Sequence, residues 1–433
     1  MAKTKLSRKF YLALVIFSLV GQVAWVVENM YLNVFIYKMF RASAEAISAM
    51  VAASAIAATV TTLLIGALSD KLGKRKLFIC GGYILWGISI WSFALIRMDV
   101  IHAIFPATVS AASVGVTLVI IADCLMTFFG SSANDACFNA WLTDATDETN
   151  RGTAEGINAM MPLMAILVVF GSFMGFDQNL QSSWTWIFGI IGTVVVALGI
   201  AGFFLIEDTA VKTEENSRYF ANIFYGFRPR VIRDNKRLYL SLAAFAVFNI
   251  AIQIFMPYLI LYYNVSLGMD NYVLIMAPAI LLAAVFTALY GKVYDRKGFQ
   301  SAVIPAMALL MAGFAALYLF RNTAMVFLGS LLMMCGYLSG MAVFGALIRD
   351  YTPQNKAGMF QGLRIVGQVL IPGIIGPAIG AAVLKNAATI VNDDGTTSFI
   401  PNRNIFQAAF IAALVTCLAL IPLCKLLKKR VKP

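Results

Sequence analysis

Long apolar runs recur along this chain at a length and spacing that only a membrane protein can use. We count twelve, each close to the roughly 20 residues with which an α-helix crosses a bilayer at about 1.5 Å per residue. The sequence therefore predicts an all-α membrane protein with twelve transmembrane helices. The runs are approximately 10 to 37, 46 to 68, 77 to 97, 113 to 142, 155 to 175, 184 to 206, 237 to 263, 271 to 293, 300 to 320, 323 to 348, 358 to 384 and 405 to 427.

Composition supports the same class. The 433 residues are 61% hydrophobic and 12% charged, whereas soluble domains average roughly 45 to 50% and about 25%. The net charge of +12 fits basic loops beside anionic lipid. It does not indicate nucleic acid, because no basic face is interleaved with exposed aromatic residues. We expect a monomer whose partners are the bilayer and a small solute.

Lysine and arginine are distributed unequally between the two sides of the predicted membrane domain. An even number of spans puts both termini on one side, and cytoplasmic loops carry the excess of positive charge. With cytoplasmic termini, 26 of the 33 basic residues lie inside, six lie outside, and Arg364 falls within a span. The charges thus predict a multi-pass protein of the plasma (inner) membrane with both termini in the cytoplasm.

Two loops, which we call the signature loops, repeat each other across the chain. Gly66 to Lys76 follows the second apolar run, and Gly291 to Gly298 follows the eighth. Each combines a small residue, a carboxylate, a glycine and a basic cluster within about ten positions. Asp70 and Asp295 are 225 residues apart, and so are Gly73 and Gly298.

A second pair of segments repeats at an offset of 206 and includes Asp144 and Asp350. The difference of 19 residues between the offsets, 225 minus 206, predicts an insertion near Met98 to Ala112 in the first half. Internal repeats of this kind predict two parallel six-helix halves. We expect halves at 1–206 and 237–433, joined by a cytoplasmic linker at 207–236.

The signature loops resemble those of the major facilitator superfamily. The resemblance implies that family's fold and a conformational latch that works during alternating access. The residues that would inherit the latch role are Gly66, Asp70, Gly73, Arg75, Asp295, Arg296 and Gly298.

A closer resemblance rests on the run from Asn134 to Asp147, which is similar to the helix-4 segment of the glycoside-pentoside-hexuronide cation symporters, the melibiose permease-like family. It implies that Asp135 contributes to cation and sugar binding. That family has a proline where Cys137 stands here, and an acidic pair in helix 2 where this chain has no carboxylate from Met50 to Leu68. These differences favour a proton over sodium as the coupling ion. We expect no other cofactor and no metal site.

Three carboxylates lie inside predicted spans, where an ionised group costs several kcal/mol and usually has a function. They are Glu28, Asp123 and Asp135. Glu28 and Asp123 lie about 14 and 15 Å from the outer ends of their helices, by the rise of about 1.5 Å per residue. The two could therefore meet at one level and share a proton or a sodium ion. The alternative for each carboxylate is a structural hydrogen bond between helices.

Uncharged polar residues also mark the predicted spans. The spacing of Gln22, Trp25, Asn29 and Asn33 predicts one face of helix 1, and Trp141 is expected at a membrane interface. Amides hydrogen-bond hydroxyl groups and an indole stacks on a sugar ring, so the set suits a hydroxyl-rich solute. Interhelical hydrogen bonding is the alternative. The candidate solute-binding residues are Gln22, Trp25, Asn29, Asn33, Asn134, Asn139, Asn249, Gln253 and Gln368.

These observations favour a secondary transporter that takes up a sugar or glycoside with a cation by alternating access. Proton-coupled efflux of an amphipathic drug or lipid could use the same carboxylates. A membrane sensor or scaffold that does not transport is the alternative from another class. An enzyme is not expected, since the only histidine is His102 and no nucleophile elbow, phosphate loop or metal cluster is present in the sequence.

Overall fold

The computed structural model describes residues 6–105, 110–146, 150–207, 225–352, 363–392 and 395–428. Within them the twelve expected apolar helices are confirmed. Eleven are long and apolar enough to cross a bilayer, and the other, α5, contains the shorter apolar stretch Ile157–Phe173. The helices are α1 Arg8–Phe40, α2 Ala44–Leu72, α3 Arg75–Leu95, α4 Ala111–Asp144, α5 Arg151–Phe173, α6 Gln181–Leu205, α7 Lys236–Ser266, α8 Val273–Tyr294, α9 Arg296–Leu319, α10 Thr323–Tyr351, α11 Leu363–Leu384 and α12 Asn404–Lys428.

Large apolar side chains cover the outside of these helices as well as the inside. Leu12 is 50% exposed, Ile121 53% and Leu282 51%. A helix that is apolar all round has no water-facing side, which is the pattern of a membrane span. The helix surfaces are therefore built to face lipid.

The chain divides into two compact units, one of Met1–Ala42 with Ala53–Ile223 and one of Ser43–Ala52 with Phe224–Pro433. Aromatic rings fill the core of each unit. In the first, Phe35 packs against Trp184 and Phe188. In the second, Phe344 packs against Phe245 and Phe248. Residues 208–224 of the expected linker lie outside the described residues, so the division at 206 and 237 stays a prediction.

Within the described residues, short π-helical turns occur in four of the spanning helices. A π turn makes i→i+5 hydrogen bonds, so it holds one more residue than an α turn and is often found at functional sites. Three of the four contain polar residues that the sequence singled out. The turns are Val27–Tyr31 with Glu28 and Asn29, Ser131–Phe138 with Asn134 and Asp135, Val366–Leu370 with Gln368, and Tyr262–Ser266.

The signature loops turn at their glycines. Gly73 has φ of 63° and Gly298 has φ of 75° with ψ of 179°. Residues with a side chain avoid both conformations, and that of Gly298 is almost restricted to glycine. The paired glycines of the repeat therefore have one physical cause, which is the sharp bend between α2 and α3 and between α8 and α9.

The segments between spans hold two smaller features. A short helix, Met98–Ile104, lies where the insertion was predicted. Before it, Arg97 donates two hydrogen bonds to the Asp99 carboxylate and so lowers the pKa of Asp99. Thr389–Val391 and Thr397–Phe399 form a small antiparallel hairpin between α11 and α12, which the sequence analysis did not predict.

The interfacial role predicted for Trp141 is wrong. Trp141 is 2% exposed, and its ring packs against Phe10 and Phe138. Its indole N–H donates to the backbone carbonyl of Glu207 at 3.1 Å. The tryptophan thus joins the end of α4 to the ends of α1 and α6 inside the first unit, because its amphipathic ring finds both apolar partners and an acceptor there.

Candidate functional site

Glu28 lies at the centre of a small oxygen cluster inside the first unit. Its Oε1 atom accepts from Ser54 Oγ of α2 at 2.7 Å and from Thr127 Oγ1 of α4 at 2.9 Å. The two hydroxyl oxygens are themselves 2.8 Å apart. Three helices therefore contribute one oxygen each to a closed triangle, which we call the oxygen triangle.

Two carboxylate oxygens near the triangle are buried without a hydrogen-bond partner among the described residues. They are Glu28 Oε2 and Asp123 Oδ1. Glu28 is 7% exposed and Asp123 is 1% exposed. The two groups interact electrostatically, and Glu28 also interacts with Asp135. A buried, unpaired carboxylate oxygen is expensive, so this part of the unit can hold a proton or a cation.

A polar row runs along α4 through the same region. Asp123, Thr127, Ser131 and Asp135 follow one another at intervals of four residues. Ser131 Oγ donates to Asp135 Oδ2 at 3.0 Å, and Thr127 reaches Glu28. The structure thus brings all three predicted carboxylates into one electrostatic group.

Sequence reasoning missed the hydroxyl groups of this site, which are those of Ser54, Thr127 and Ser131. The four-residue spacing along α4 was the signal that could have identified two of them, because residues at i and i+4 lie on one face of a helix. Ser54 carries no such signal, since it is a single hydroxyl within an apolar helix.

Trp25 and Asn134 belong to a second polar network. The Asn134 side-chain amide donates to the Tyr83 hydroxyl at 2.7 Å, and Tyr83 donates to the Phe17 carbonyl at 2.8 Å. The Trp25 indole N–H approaches Asn134 Oδ1 at 3.4 Å. Tyr83 and Asn134 are buried. Their hydrogen bonds fix the orientation of the Asn134 amide beside the half-buried Trp25.

The four residues predicted to share one face of helix 1 differ in burial. Asn33 is fully buried while Asn29 is exposed. Gln22 and Trp25 are half-buried. The π turn Val27–Tyr31 lies inside this row, and the shared polar face stays a prediction.

Several candidate amides bond to the backbone of their own helix. Asn29 donates to the Trp25 carbonyl and Asn33 to the Asn29 carbonyl. Asn139 donates to the carbonyls of Asn134 and Asp135. The Asn33 Oδ1 atom is buried and lacks a partner in the described part of the chain.

The second unit positions the remaining candidates on α7 and α11. Asn249 is buried and donates to the Phe245 carbonyl at 2.8 Å. Gln368 accepts from Arg364 Nε at 3.2 Å. Gln253 is half-buried. A β-carbon added to Gly376 would lie only 2.5 Å from the Cβ of Gln253, so α7 and α11 approach each other closely there.

The first signature loop is tied to the end of α4 by a buried arginine. Arg75 is 4% exposed, its Nε atom lies 3.1 Å from Asp144 Oδ2, and it also donates to Ser69 Oγ. In the second unit, Tyr294 and Asp350 are the counterparts of Ser69 and Asp144, and the Tyr294 hydroxyl donates to Asp350. Gln300 stands in place of Arg75 and donates to the Cys424 carbonyl. The side chains of Asp70 and Asp295 lie outside the described residues.

The described residues form twelve apolar helices in two compact units, with carboxylates buried inside the first. This arrangement is that of secondary membrane transporters. The sequence pattern of the Major Facilitator Superfamily matches residues 10–377. The chain belongs to this superfamily, which is not a family of enzymes. The glycoside-pentoside-hexuronide resemblance is not confirmed at this level.

Solved structures of transporters share the fold at low sequence identity. The D-xylose-proton symporter is 13% identical with a TM-score of 0.73, covering 95% of this chain and 96% of its own. A bacterial homologue of the human lysosomal transporter Spinster, inward-facing and occupied, is 14% identical with a TM-score of 0.72, covering 99% and 100%. The nucleoside transporter NupG is 15% identical with a TM-score of 0.67, covering 96% and 98%. No curated protein matches the chain significantly in sequence.

Proposed function

We propose that this protein is a proton-coupled symporter of a sugar, a glycoside or a similar hydroxyl-rich solute, in a plasma membrane and with both termini in the cytoplasm. The observation that carries the proposal is the oxygen triangle around Glu28. Asp123 interacts electrostatically with Glu28, and its buried Oδ1 atom has no hydrogen-bond partner among the described residues. Coupling requires a site inside the membrane that can take up and release a cation, and this group has the chemistry for it.

Counting hydrogens favours a proton as the cation. The triangle has three oxygen–oxygen distances of 2.7, 2.9 and 2.8 Å, all within the range of a hydrogen bond. Ser54 and Thr127 supply one hydroxyl hydrogen each. A protonated Glu28 would supply a third hydrogen, so that its carboxyl group donates to one hydroxyl and accepts from the other. We infer that Glu28 is the group that takes up the coupling proton.

The polar groups around Trp25 support a hydroxyl-rich solute. Asn134 accepts from the Trp25 indole N–H, and Gln22 and Asn29 lie about one turn from Trp25 on α1. Amides suit sugar hydroxyl groups, and an indole suits a sugar ring. Two of the similar structures belong to proteins named for D-xylose and for nucleosides, and both solutes contain a pentose. We assign coupling to Glu28, Asp135 and Asp123, and solute contact to the candidate amides and Trp25.

The signature loops act in this proposal as latches that hold one conformation. Gly66, Asp70, Gly73 and Arg75 form the first, and Asp295, Arg296 and Gly298 form the second. The buried contacts of Arg75 with Asp144 and Ser69 support a role in fixing the loop against α4.

The test is uptake of radiolabelled mono- and disaccharides and nucleosides into proteoliposomes under an imposed pH gradient, with sodium replaced by choline in a parallel arm. We expect a pH gradient to drive accumulation of at least one hydroxyl-rich solute without sodium. Glu28→Gln and Asp135→Asn should abolish accumulation but retain exchange of internal for external solute. The matched control is Asp99→Asn, which removes an exposed carboxylate outside the spans and should transport normally.

Three outcomes would contradict the proposal. Accumulation that follows the sodium gradient and ignores pH would replace the proton with sodium. Transport restricted to amphipathic cations or lipids would favour efflux over sugar uptake. Unchanged accumulation in both Glu28→Gln and Asp135→Asn would remove the coupling assignment.

A further inference from the structure

A groove of about 640 Å³ lies in the second unit, where the segment before α7 meets the end of α12. Lys236 is the first residue of α7, and Leu426 is close to the end of α12. The groove therefore opens where two spanning helices reach the same membrane surface, which the charge distribution assigns to the cytoplasm. Its lining residues are Pro229, Ile232, Arg233, Lys236, Tyr239 and Leu240, together with Leu426.

The groove has an apolar wall and a cationic rim. Ile232, Leu240 and Leu426 supply aliphatic surface, and Ile232 remains 40% exposed. Arg233 and Lys236 are exposed at the rim, and neither has an ion-pair partner within the described part of the chain. Exposed Ile232 and half-buried Leu240 and Leu426 thus lie beside two exposed cations, which matches a ligand that has both a negative head and an apolar tail.

Local packing holds the groove in shape. The short helix Pro229–Asp234 starts with proline and is anchored by buried Val231. Asn235 bonds back to the Val231 carbonyl at 3.0 Å, and the Tyr239 hydroxyl donates to the Gly226 carbonyl. The Arg237 guanidinium lies 5.9 Å from the Tyr351 ring centroid, so this neighbouring cation packs against α10. The cations that line the groove are thus presented by an ordered segment.

We propose that this groove binds an anionic phospholipid of the cytoplasmic leaflet. Arg233 and Lys236 receive the phosphate, and an acyl chain lies along Ile232, Leu240 and Leu426. Arginine and lysine at the membrane surface attract anionic lipid electrostatically, and a guanidinium can bind a phosphate through two hydrogen bonds. The proposal is independent of the solute and of the coupling ion, because all of its residues lie outside the coupling cluster.

The test is native mass spectrometry of the detergent-purified full chain titrated with phosphatidylglycerol, with phosphatidylcholine as the neutral comparison. Arg233→Gln combined with Lys236→Gln should weaken phosphatidylglycerol binding about thirtyfold, the equivalent of about 2 kcal/mol for two lysine or arginine contacts. Arg230→Gln combined with Lys425→Gln is the matched control. It removes the same charge from exposed residues that do not line the groove, and it should weaken binding less than about threefold.

Three further arms complete the test. Ile232→Asn should weaken binding of the lipid, and glycerol 3-phosphate should not compete for the site. If the Arg233 and Lys236 double variant fails to fold, the single variants should each weaken binding about fivefold. Equal losses in the two double variants, equal affinity for phosphatidylcholine, or full competition by glycerol 3-phosphate would each overturn the proposal.

Discussion

Gly21 of α1 and Asn134 of α4 meet at a point where no β-carbon fits. A Cβ on Gly21 would overlap the Asn134 side-chain amide and would lie 2.7 Å from the Tyr83 hydroxyl. The missing side chain on α1 is therefore what allows Asn134 to reach Tyr83 and remain beside Trp25. The network around Trp25 depends on this contact between α1 and α4.

Replacing Gly21 with alanine should displace Asn134 and break its hydrogen bond to Tyr83. Overpacking of this kind costs about 1 to 3 kcal/mol, so we expect a lower Tm in detergent and a higher KM for the transported solute. Gly81→Ala is the control, because a β-carbon on Gly81 meets nothing within 4 Å. A normal KM in Gly21→Ala would separate Asn134 from solute binding.

The hydroxyl groups of the oxygen triangle give a second prediction. Thr127→Val keeps the side-chain shape but removes a hydrogen from the ring around Glu28, and Ser54→Ala removes another. We expect each to reduce pH-driven accumulation about tenfold, the equivalent of about 1.4 kcal/mol and within the range of a hydrogen bond to a charged or buried group. Solute exchange should change much less.

Thr117→Val is the matched control for these variants. Thr117 lies on the same helix, is exposed, and donates to the Ser113 carbonyl of its own helix. If Thr117→Val reduces accumulation as much as Thr127→Val does, the effect belongs to the helix and not to the triangle.

The fold could be predicted from the sequence because membrane spans leave a strong signal. Twenty apolar residues in succession and the excess of basic loops do not depend on tertiary contacts. The three carboxylates could also be identified, since each interrupts an apolar run. Ser54 could not be identified as a site residue. A serine or threonine in an apolar helix often bonds to the backbone of its own helix, so its presence does not indicate a contact with another helix.

The arrangement of the polar residues was harder to predict than their identity. Asn29 and Asn33 follow α-helical spacing, yet Asn29 is exposed and Asn33 is buried, and spacing alone does not predict that difference. Trp141 was expected at an interface because tryptophan is common there. Its burial depends on partners from α1 and on the backbone of Glu207, which are distant in sequence.

The ion pair between Arg75 and Asp144 gives a third prediction. Arg75→Gln should destabilise the first unit by about 1 to 3 kcal/mol. This is less than the cost of breaking a fully buried ion pair, because the Asp144 side chain is 28% exposed. Arg75→Lys should rescue it only partly, since lysine cannot reproduce both the Asp144 and Ser69 contacts of a guanidinium. The measurement is thermal unfolding, with Arg97→Gln as the control.

Arg97 pairs with exposed Asp99, so Arg97→Gln should leave Tm unchanged while raising the pKa of Asp99 towards its ordinary value. The lowered pKa of Asp99 stabilises the fold only at a pH above the ordinary pKa of an aspartate. Any such contribution is lost as the pH falls through the lowered pKa. An equal loss of Tm in Arg75→Gln and Arg97→Gln would contradict a structural role specific to Arg75.

Gly298 gives the last prediction, because the second signature loop depends on its backbone and not on a close contact. Gly298 has φ of 75° and ψ of 179°, and no atom of the described residues lies within 4 Å of an added β-carbon, so Gly298→Ala tests conformational strain. We expect a loss of about 1 to 3 kcal/mol, seen as a lower Tm. Gly291→Ala in the same loop also meets open space but has no positive φ, so it should be neutral or slightly stabilising. If the two variants unfold at the same temperature, the bend between α8 and α9 does not require glycine, and the repeated glycines of the two loops need another explanation.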